Sequence, residues 1–210
     1  MRSNATEMAR HERRRTLRLK GYDYTQPGAY FVTICTYRRQ PLFGEVADDG
    51  VMHLHPFGQV VREVWFETAR VRPYVVLHED EFVVMPNHVH GIIWIVEVDG
   101  QPAVVGATRR VAPTEDGRAR GPKPGSLGAI IGQFKSLVTK RINALRGTPG
   151  APVWQRNYYE HIIRTEKALD AIRRYIAANP QRWHLDRYNP RAAAPDPWAQ
   201  DLWRLLREKR

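Results

Sequence analysis

The chain has a single cysteine, Cys35, among 210 residues. An intrachain disulfide and a cysteine-based zinc site are therefore both excluded, which fits a reducing compartment. Long apolar runs are missing as well. The longest uninterrupted one, from Ile92 to Val96, falls far short of the roughly 20 residues that a membrane-spanning helix needs. The first twenty residues contain no apolar core of the kind that marks a secretory signal. Internal repeats are absent too. A cytoplasmic globular protein with no membrane partner is the expectation that remains, and 42% apolar content is enough for one domain with appendages.

What the chain has in excess is positive charge. Its 33 Lys and Arg outnumber 22 Asp and Glu, leaving a net +11 and a sequence pI near 10.1. That balance favours a polyanionic partner, of which nucleic acid is the commonest soluble kind. Residues 1–28 read as a basic arm, since the first twenty hold seven basic and two acidic side chains. Arg13, Arg14 and Arg15 in it are candidate phosphate contacts. Residues 99–125, with five Gly, four Pro and five Lys or Arg and no periodicity, read as an irregular basic loop.

Between these segments the pattern is regular. Aromatic and β-branched residues in "GAYFVTICTYRR" predict a strand over about residues 30–37. A turn at Asp49-Gly50 follows, and then Val60, Val61, Val64, Trp65 and Ala69 recur at helical spacing until Arg72-Pro73. "YVVLHEDEFVVM" and "HVHGIIWIV" flank Pro86-Asn87 and predict a hairpin. Leu127, Ile130, Ile131, Phe134, Leu137, Val138, Ile142 and Leu145 form a helical stripe, and "PVWQRNYYEHIIR" reads as a fourth strand. Thr165 is placed to cap a helix through Leu169, Ile172 and Ile176, which Pro180 stops. Asp196-Pro197 opens a tail helix, within residues 191–210, with Trp198, Leu202 and Leu205 on one side. The order β, α, β-hairpin, α, β, α predicts an α+β, ferredoxin-like palm over residues 29–190, with about four mostly antiparallel strands and helices on one face.

The chemistry concentrates in "PNHVHG". Residues two apart on a strand share a face, so His88 and His90 present both rings together, as a two-nitrogen clamp for a metal or as two hydrogen-bonded strand-end histidines. A second His-x-His, His53-Leu54-His55, sits in a short segment bounded by turn residues and reads as surface. On the helix after Thr165, Tyr175 and Asn179 are four apart and share a face in the last turn, where the helix dipole favours a cation. An Asn carbonyl beside two imidazoles suits a divalent ion such as Mg²⁺ or Mn²⁺. The structural alternative is a half-buried packing tyrosine and a helix-capping asparagine.

"VVMPNHVHGIIWI", "GSLGAIIGQFKSLVTKRIN", "VWQRNYYEHIIR" and "RRYIAANPQRW", in this order and spacing, resemble the REP-associated tyrosine transposases, within the wider set of His-hydrophobic-His (HUH) single-strand transposases with one catalytic tyrosine. The likeness covers roughly residues 20–190. It implies a ferredoxin-like palm and a metal-dependent endonuclease and strand transferase acting on single-stranded DNA. The tyrosine hydroxyl would attack a backbone phosphorus, stay joined to the 5′ phosphate, and release a 3′-OH. By motif position Tyr175 matches the nucleophile, and His88, His90 and Asn179 match the metal ligands. Tyr158 and Tyr159, in the preceding strand, compete less well for the nucleophile. The implied target is a hairpin of a repetitive extragenic palindrome, bound by a monomer or homodimer.

Lys135, Lys140, Arg141, Arg156, Arg164, Arg173 and Arg174 are candidates to track phosphates, and Trp154, Tyr158, Tyr159 and Trp183 to stack unpaired bases. Histidines must be neutral to ligate, so activity is expected to fall below about pH 6.5. Rival readings are a zinc-type hydrolase, a relaxase-like initiator and a non-catalytic ferredoxin-like nucleic-acid-binding module.

Overall fold

The computed structural model describes residues 19, 21–98 and 121–207. Arg13, Arg14 and Arg15 and most of the 99–125 loop lie outside the described residues. The elements in chain order are strands β1 (Gly28–Cys35), β2 (Gly44–Val46) and β3 (Met52–Leu54), helix α1 (Pro56–Arg70), strands β4 (Val75–Val76), β5 (Phe82–Met85) and β6 (His88–Ile95), helix α2 (Leu127–Leu145), strand β7 (Tyr159–Ile163) and helices α3 (Glu166–Ala178) and α4 (Pro197–Arg207). No described helix is long and apolar enough to cross a membrane.

Strand β1 is central. It pairs antiparallel with β6 on one side, Thr33 opposite His90 and Cys35 opposite His88, and with β7 on the other. Both β4 and β5 pair antiparallel with the far edge of β6, so the main sheet has five strands. The structure is thus α+β with an antiparallel sheet, as the element order predicts, with one strand more than expected. The extra strand arises because "YVVLHEDEFVVM" is broken by a helical turn at Glu79–Glu81. Glu81 is 1% exposed, and two donors hold it inside: Trp94 Nε1 at 2.6 Å and Arg173 Nε at 2.8 Å. The expected strand over 152–164 is also interrupted. Trp154 makes an isolated bridge to Thr36, and regular pairing begins only at Tyr159.

Side-chain alternation divides the core. Tyr30, Val32 and Ile34 point to one face, where they pack with Val61, Val64 and Trp65 of α1 and Ile130, Phe134 and Val138 of α2. Phe31 and Ile92 point the other way, onto Leu169, Ile172, Tyr175 and Ile176 of α3 and Ala199, Leu202 and Leu206 of α4. The expectation of helices on one face therefore holds for α1 and α2 and is corrected for α3 and α4. A sheet apolar on both sides must be covered on both. The tail helix is consequently a core element, and it buries Leu206 where spacing alone predicts Leu205. Leu145, assigned to the α2 stripe, is 61% exposed because it lies in the last turn, past the sheet's reach. Ser126 and Thr165 cap α2 and α3, their oxygens accepting from the backbone N–H of Ala129 and Ala168.

Gly91 decides how closely α1 approaches β6. A Cβ there would lie 2.5 Å from Cζ2 of Trp65, whose ring stacks on Phe82 at 4.4 Å between centroids. Gly91→Ala is expected to destabilise the fold by about 1–3 kcal/mol, the usual cost of overpacking, measured as a lower denaturant midpoint at unchanged slope.

Candidate active site

The two-residue turn Pro86-Asn87 joins β5 to β6, with Met85 paired to His88. It delivers His88 and His90 to the face of the sheet that α3 covers, and both are 0% exposed. Their Nε2 atoms stand 3.0 Å apart. Asn87 determines which nitrogen of His88 carries the proton. Its Nδ2 donates to the backbone oxygens of Arg39 (3.1 Å) and Tyr188 (2.8 Å), so its Oδ1 must be an acceptor, and His88 Nδ1 donates to it at 2.9 Å. The lone pair of His88 is therefore on Nε2, facing His90. Thr33 Oγ1, directly across the sheet, holds His90 Nδ1 at 2.8 Å.

Three further groups converge on the imidazoles. Tyr175 of α3 packs its ring 5.1 Å from that of His90, is 4% exposed, and has a buried hydroxyl without a hydrogen-bond partner among the described residues. Asn179, the residue that ends α3, donates its Nδ2 to Asp186 Oδ2 at 3.2 Å, while its carbonyl oxygen is buried near His88 with no partner in good hydrogen-bond geometry among the described residues. Asp186 is 3% exposed, its other oxygen accepting from Tyr188 N at 2.6 Å. His88, His90 and Asp186 bring one potential ligand atom each to within 4.8 Å of one another. Two imidazoles, a carboxylate and an orphaned amide oxygen form a mixed N/O donor set suited to a divalent ion. All of these side chains belong to one chain, so no partner copy is needed to bring the phenol to the histidines.

The sequence spacing brings His88, His90, Tyr175 and Asn179 forward but misses Asp186. Its only signal is an isolated acid seven residues past Asn179, in a basic and aromatic stretch, "RWHLDRY", that has no periodicity.

Burial sets the electrostatics. It pushes the His88 pKa down to about 3, helped by the nearby Arg39 guanidinium and opposed by Asn179. It pushes His90 well below the ordinary histidine value, with His88 acting in the same direction and Asp186 against it. Both rings therefore stay neutral, as ligation requires. The Tyr175 phenol is pushed well above its usual range by burial and then by Asp186. Tyr188, whose ring lies 4.6 Å from His88, is raised for the same first reason.

The expected DNA contacts fare unevenly. Trp154 is 7% exposed and wedged between Phe43 and Phe134 in the α1/α2 core, so it offers no free face for stacking. Lys135 donates to the carbonyls of Gln155 (2.6 Å) and Arg156 (3.0 Å), and burial lowers its pKa to about 8. Arg141 is paired with Glu67 and Arg173 with Glu81. Each of these basic groups is tied to a structural partner because the helix it sits on packs its base against a neighbour. Lys140, Arg156, Arg164 and Arg174 are exposed, and Tyr158, Tyr159 and Trp183 are half-buried. Lys140 and Arg156, with Lys135, border a groove of about 680 Å³ between α2 and residues 149–156, on the sheet face opposite Tyr175.

Because Asn87 fixes the His88 tautomer from outside the donor set, Asn87→Ala is expected to weaken Mn²⁺ binding about 10- to 100-fold, read by titration of the free-ion EPR signal.

No family model matches the chain. Among solved structures it is similar to a REP-associated tyrosine transposase bound to a REP hairpin (TM-score 0.47, 20% identity, 80% of this chain and 74% of that one). It is also similar to a candidate transposase of Deinococcus radiodurans R1 (TM-score 0.36, 17% identity, 76% and 94%). In sequence it is 40% identical over 174 residues to a Haemophilus influenzae protein described as uncharacterized, covering 82% of this chain and 91% of that protein. Identity at that level over most of both chains shows common descent and a shared fold, and the chain belongs to the same family as this Haemophilus influenzae protein.

Proposed function

We propose that the chain is a REP-associated tyrosine transposase: a metal-dependent single-stranded DNA endonuclease and strand transferase that forms a 5′-phosphotyrosine intermediate at hairpin DNA. The observation that carries this reading is the convergence of His88, His90, Asp186 and Asn179 near the ring of Tyr175, from two segments remote in sequence, residues 88–90 and 175–186. The sequence resemblance supplies the reaction class.

His88, His90 and Asp186, with the Asn179 carbonyl completing the set, would hold a divalent ion such as Mg²⁺ or Mn²⁺. Bound there, the ion would neutralise charge on the scissile phosphate and fix its position. The residues of the chain do the rest. Tyr175 Oη forms a bond to phosphorus as the bond to the 3′ oxygen breaks, and the phenolic proton is transferred, in sum, to that departing oxygen. One phosphodiester replaces another, so the step needs no external energy and can reverse. Asn87 and Thr33 hold the imidazoles with their Nε2 atoms facing the site. In the conformation seen, the Tyr175 hydroxyl is buried and the ring of Trp203 in α4 packs on that of Tyr175 at 6.1 Å between centroids, so a strand can reach the phenol only after the elements that follow α3 shift.

That closure also favours a second reading, a non-catalytic single-strand-binding module in which Tyr175 is a packing residue. Incubation with a single-stranded hairpin oligonucleotide and Mn²⁺ separates the two. A denaturant-resistant protein–DNA species supports the transposase, and its absence with DNA bound supports the module.

A further inference from the structure

We propose that Arg39 and Arg187 form a phosphodiester clamp beside the histidine site, gripping a backbone phosphate adjacent to the one that Tyr175 attacks. This rests on the single-stranded DNA reading above and adds a binding subsite to it.

The chain leaves β1 through a tight turn at Tyr37–Arg39, in which Arg38 and Arg39 have φ of 55° and 56°. Two successive non-glycine residues in the left-handed region are uncommon, because the side chain crowds the following carbonyl, and such strain concentrates at functional sites. The turn is fastened to the site. Asn87, which orients His88, donates to Arg39 O and to Tyr188 O, so one amide joins the exit of β1 to the segment after α3.

The same geometry gathers two cations. The Arg39 guanidinium carbon lies 5.4 Å from the centroid of the Tyr188 ring, and Nη1 of Arg39 donates to Arg187 O at 3.4 Å. The Arg187 guanidinium carbon lies 5.3 Å from the centroid of the same ring. That ring is the one 4.6 Å from His88. Neither arginine is paired with a carboxylate among the described residues, whereas Arg173 and Arg182 have Glu81 and Asp196. Both Arg39 and Arg187 are exposed. Two unneutralised guanidinium groups, from segments 148 residues apart, are thus collected on one aromatic ring at the border of the imidazoles. Cation–π contact with Tyr188 holds them at that border, and planar forks there suit the oxygens of a phosphodiester, which they bind bidentately.

The test is a fluorescence-anisotropy titration of the full chain with a labelled single-stranded hairpin oligonucleotide at several salt concentrations. Each phosphate contact on a single strand contributes about 0.7 to the slope of log K against log salt, and the clamp grips one phosphate, so R39Q/R187Q is expected to lower the slope by about 0.7, with roughly a tenfold or larger loss of affinity. The single variants should each weaken binding and lower the slope by up to about 0.7, so the result does not depend on the double variant folding. R39K/R187K keeps the charge and should keep most of the slope. A double Gln variant with wild-type slope and affinity overturns the clamp while leaving the single-strand reading intact. Weaker binding at an unchanged slope also overturns it, because that is the signature of lost packing on Tyr188. A wild-type chain that does not bind the oligonucleotide overturns both proposals.

Discussion

Tyr175→Phe is expected to abolish the covalent protein–DNA species and to reduce strand cleavage by at least about 10⁴-fold, since removal of a nucleophile leaves only binding and electrostatic contributions. The structure makes this substitution unusually clean. The ring of Tyr175 packs against Phe31, His90 and Trp203, and all of those contacts survive in phenylalanine. The hydroxyl is buried and has no hydrogen-bond partner among the described residues, so its loss removes an unsatisfied polar group and leaves no new one. Thermal stability should therefore be equal to or above that of the wild type while the chemistry disappears. Gel mobility of a labelled oligonucleotide under denaturing conditions reads the first effect and a melting curve the second. An adduct that persists in Tyr175→Phe transfers the nucleophile's role to another tyrosine, for which Tyr158, Tyr159 and the buried Tyr188 are the candidates, and sinks the assignment made here.

The second large effect is a loss of stability in acid that originates at the same site. In the unfolded chain a histidine titrates near 6.5, whereas in the folded chain burial lowers His88 to about 3 and His90 in the same direction. Between those values the unfolded state binds protons that the folded state refuses. Folding stability is therefore intact above about pH 6.5, and falls as the pH is lowered from there toward 3, by up to about 1.4 kcal/mol per pH unit for each histidine. Denaturant midpoints at pH 7, 6, 5 and 4 should show the decline, and His90→Leu should flatten it. A midpoint independent of pH across this window would show that the imidazoles are not buried as described. This changes the sequence-based expectation that activity falls below about pH 6.5 because the ligands protonate in place. Burial disfavours protonation of both rings in the folded site, so acid is expected to lower the stability of the fold before it charges the ligands in place. A divalent ion that binds only the folded donor set should raise the midpoint at pH 7, and chelation should lower it again.

Where the sequence reading succeeded, the signal was local. The helical stripes of α1, α2 and α3 are read from side chains three and four apart, and the Thr165 cap and the Pro86-Asn87 turn from residue chemistry at single positions. His88 and His90 share a face for the same reason, since strand geometry fixes the direction of alternate side chains within a few residues. His53 and His55 are exposed, as the turn residues around them predict.

Where it missed, the cause lay in partners remote in sequence. Trp154 looked like a DNA contact because an aromatic is the same in sequence whether it faces water or a neighbouring helix. Only the packing of α2 against α1 and Phe43 decided that it faces the core, and the same packing pairs the partly exposed Arg141 with Glu67. Glu81 broke a strand because Trp94 and Arg173, 13 and 92 residues away, could satisfy it inside.

The amino-acid order by itself thus determined the class of fold, the paired imidazoles and the tyrosine one helical turn before Asn179, because hydrophobic period and residue spacing act over short range. Which acid joins the histidines, which of the described arginines pair with carboxylates, and that Trp203 of α4 packs on the Tyr175 ring were decided only when the sheet closed against helices on both faces, because burial and pairing depend on atoms that the chain brings together from far apart.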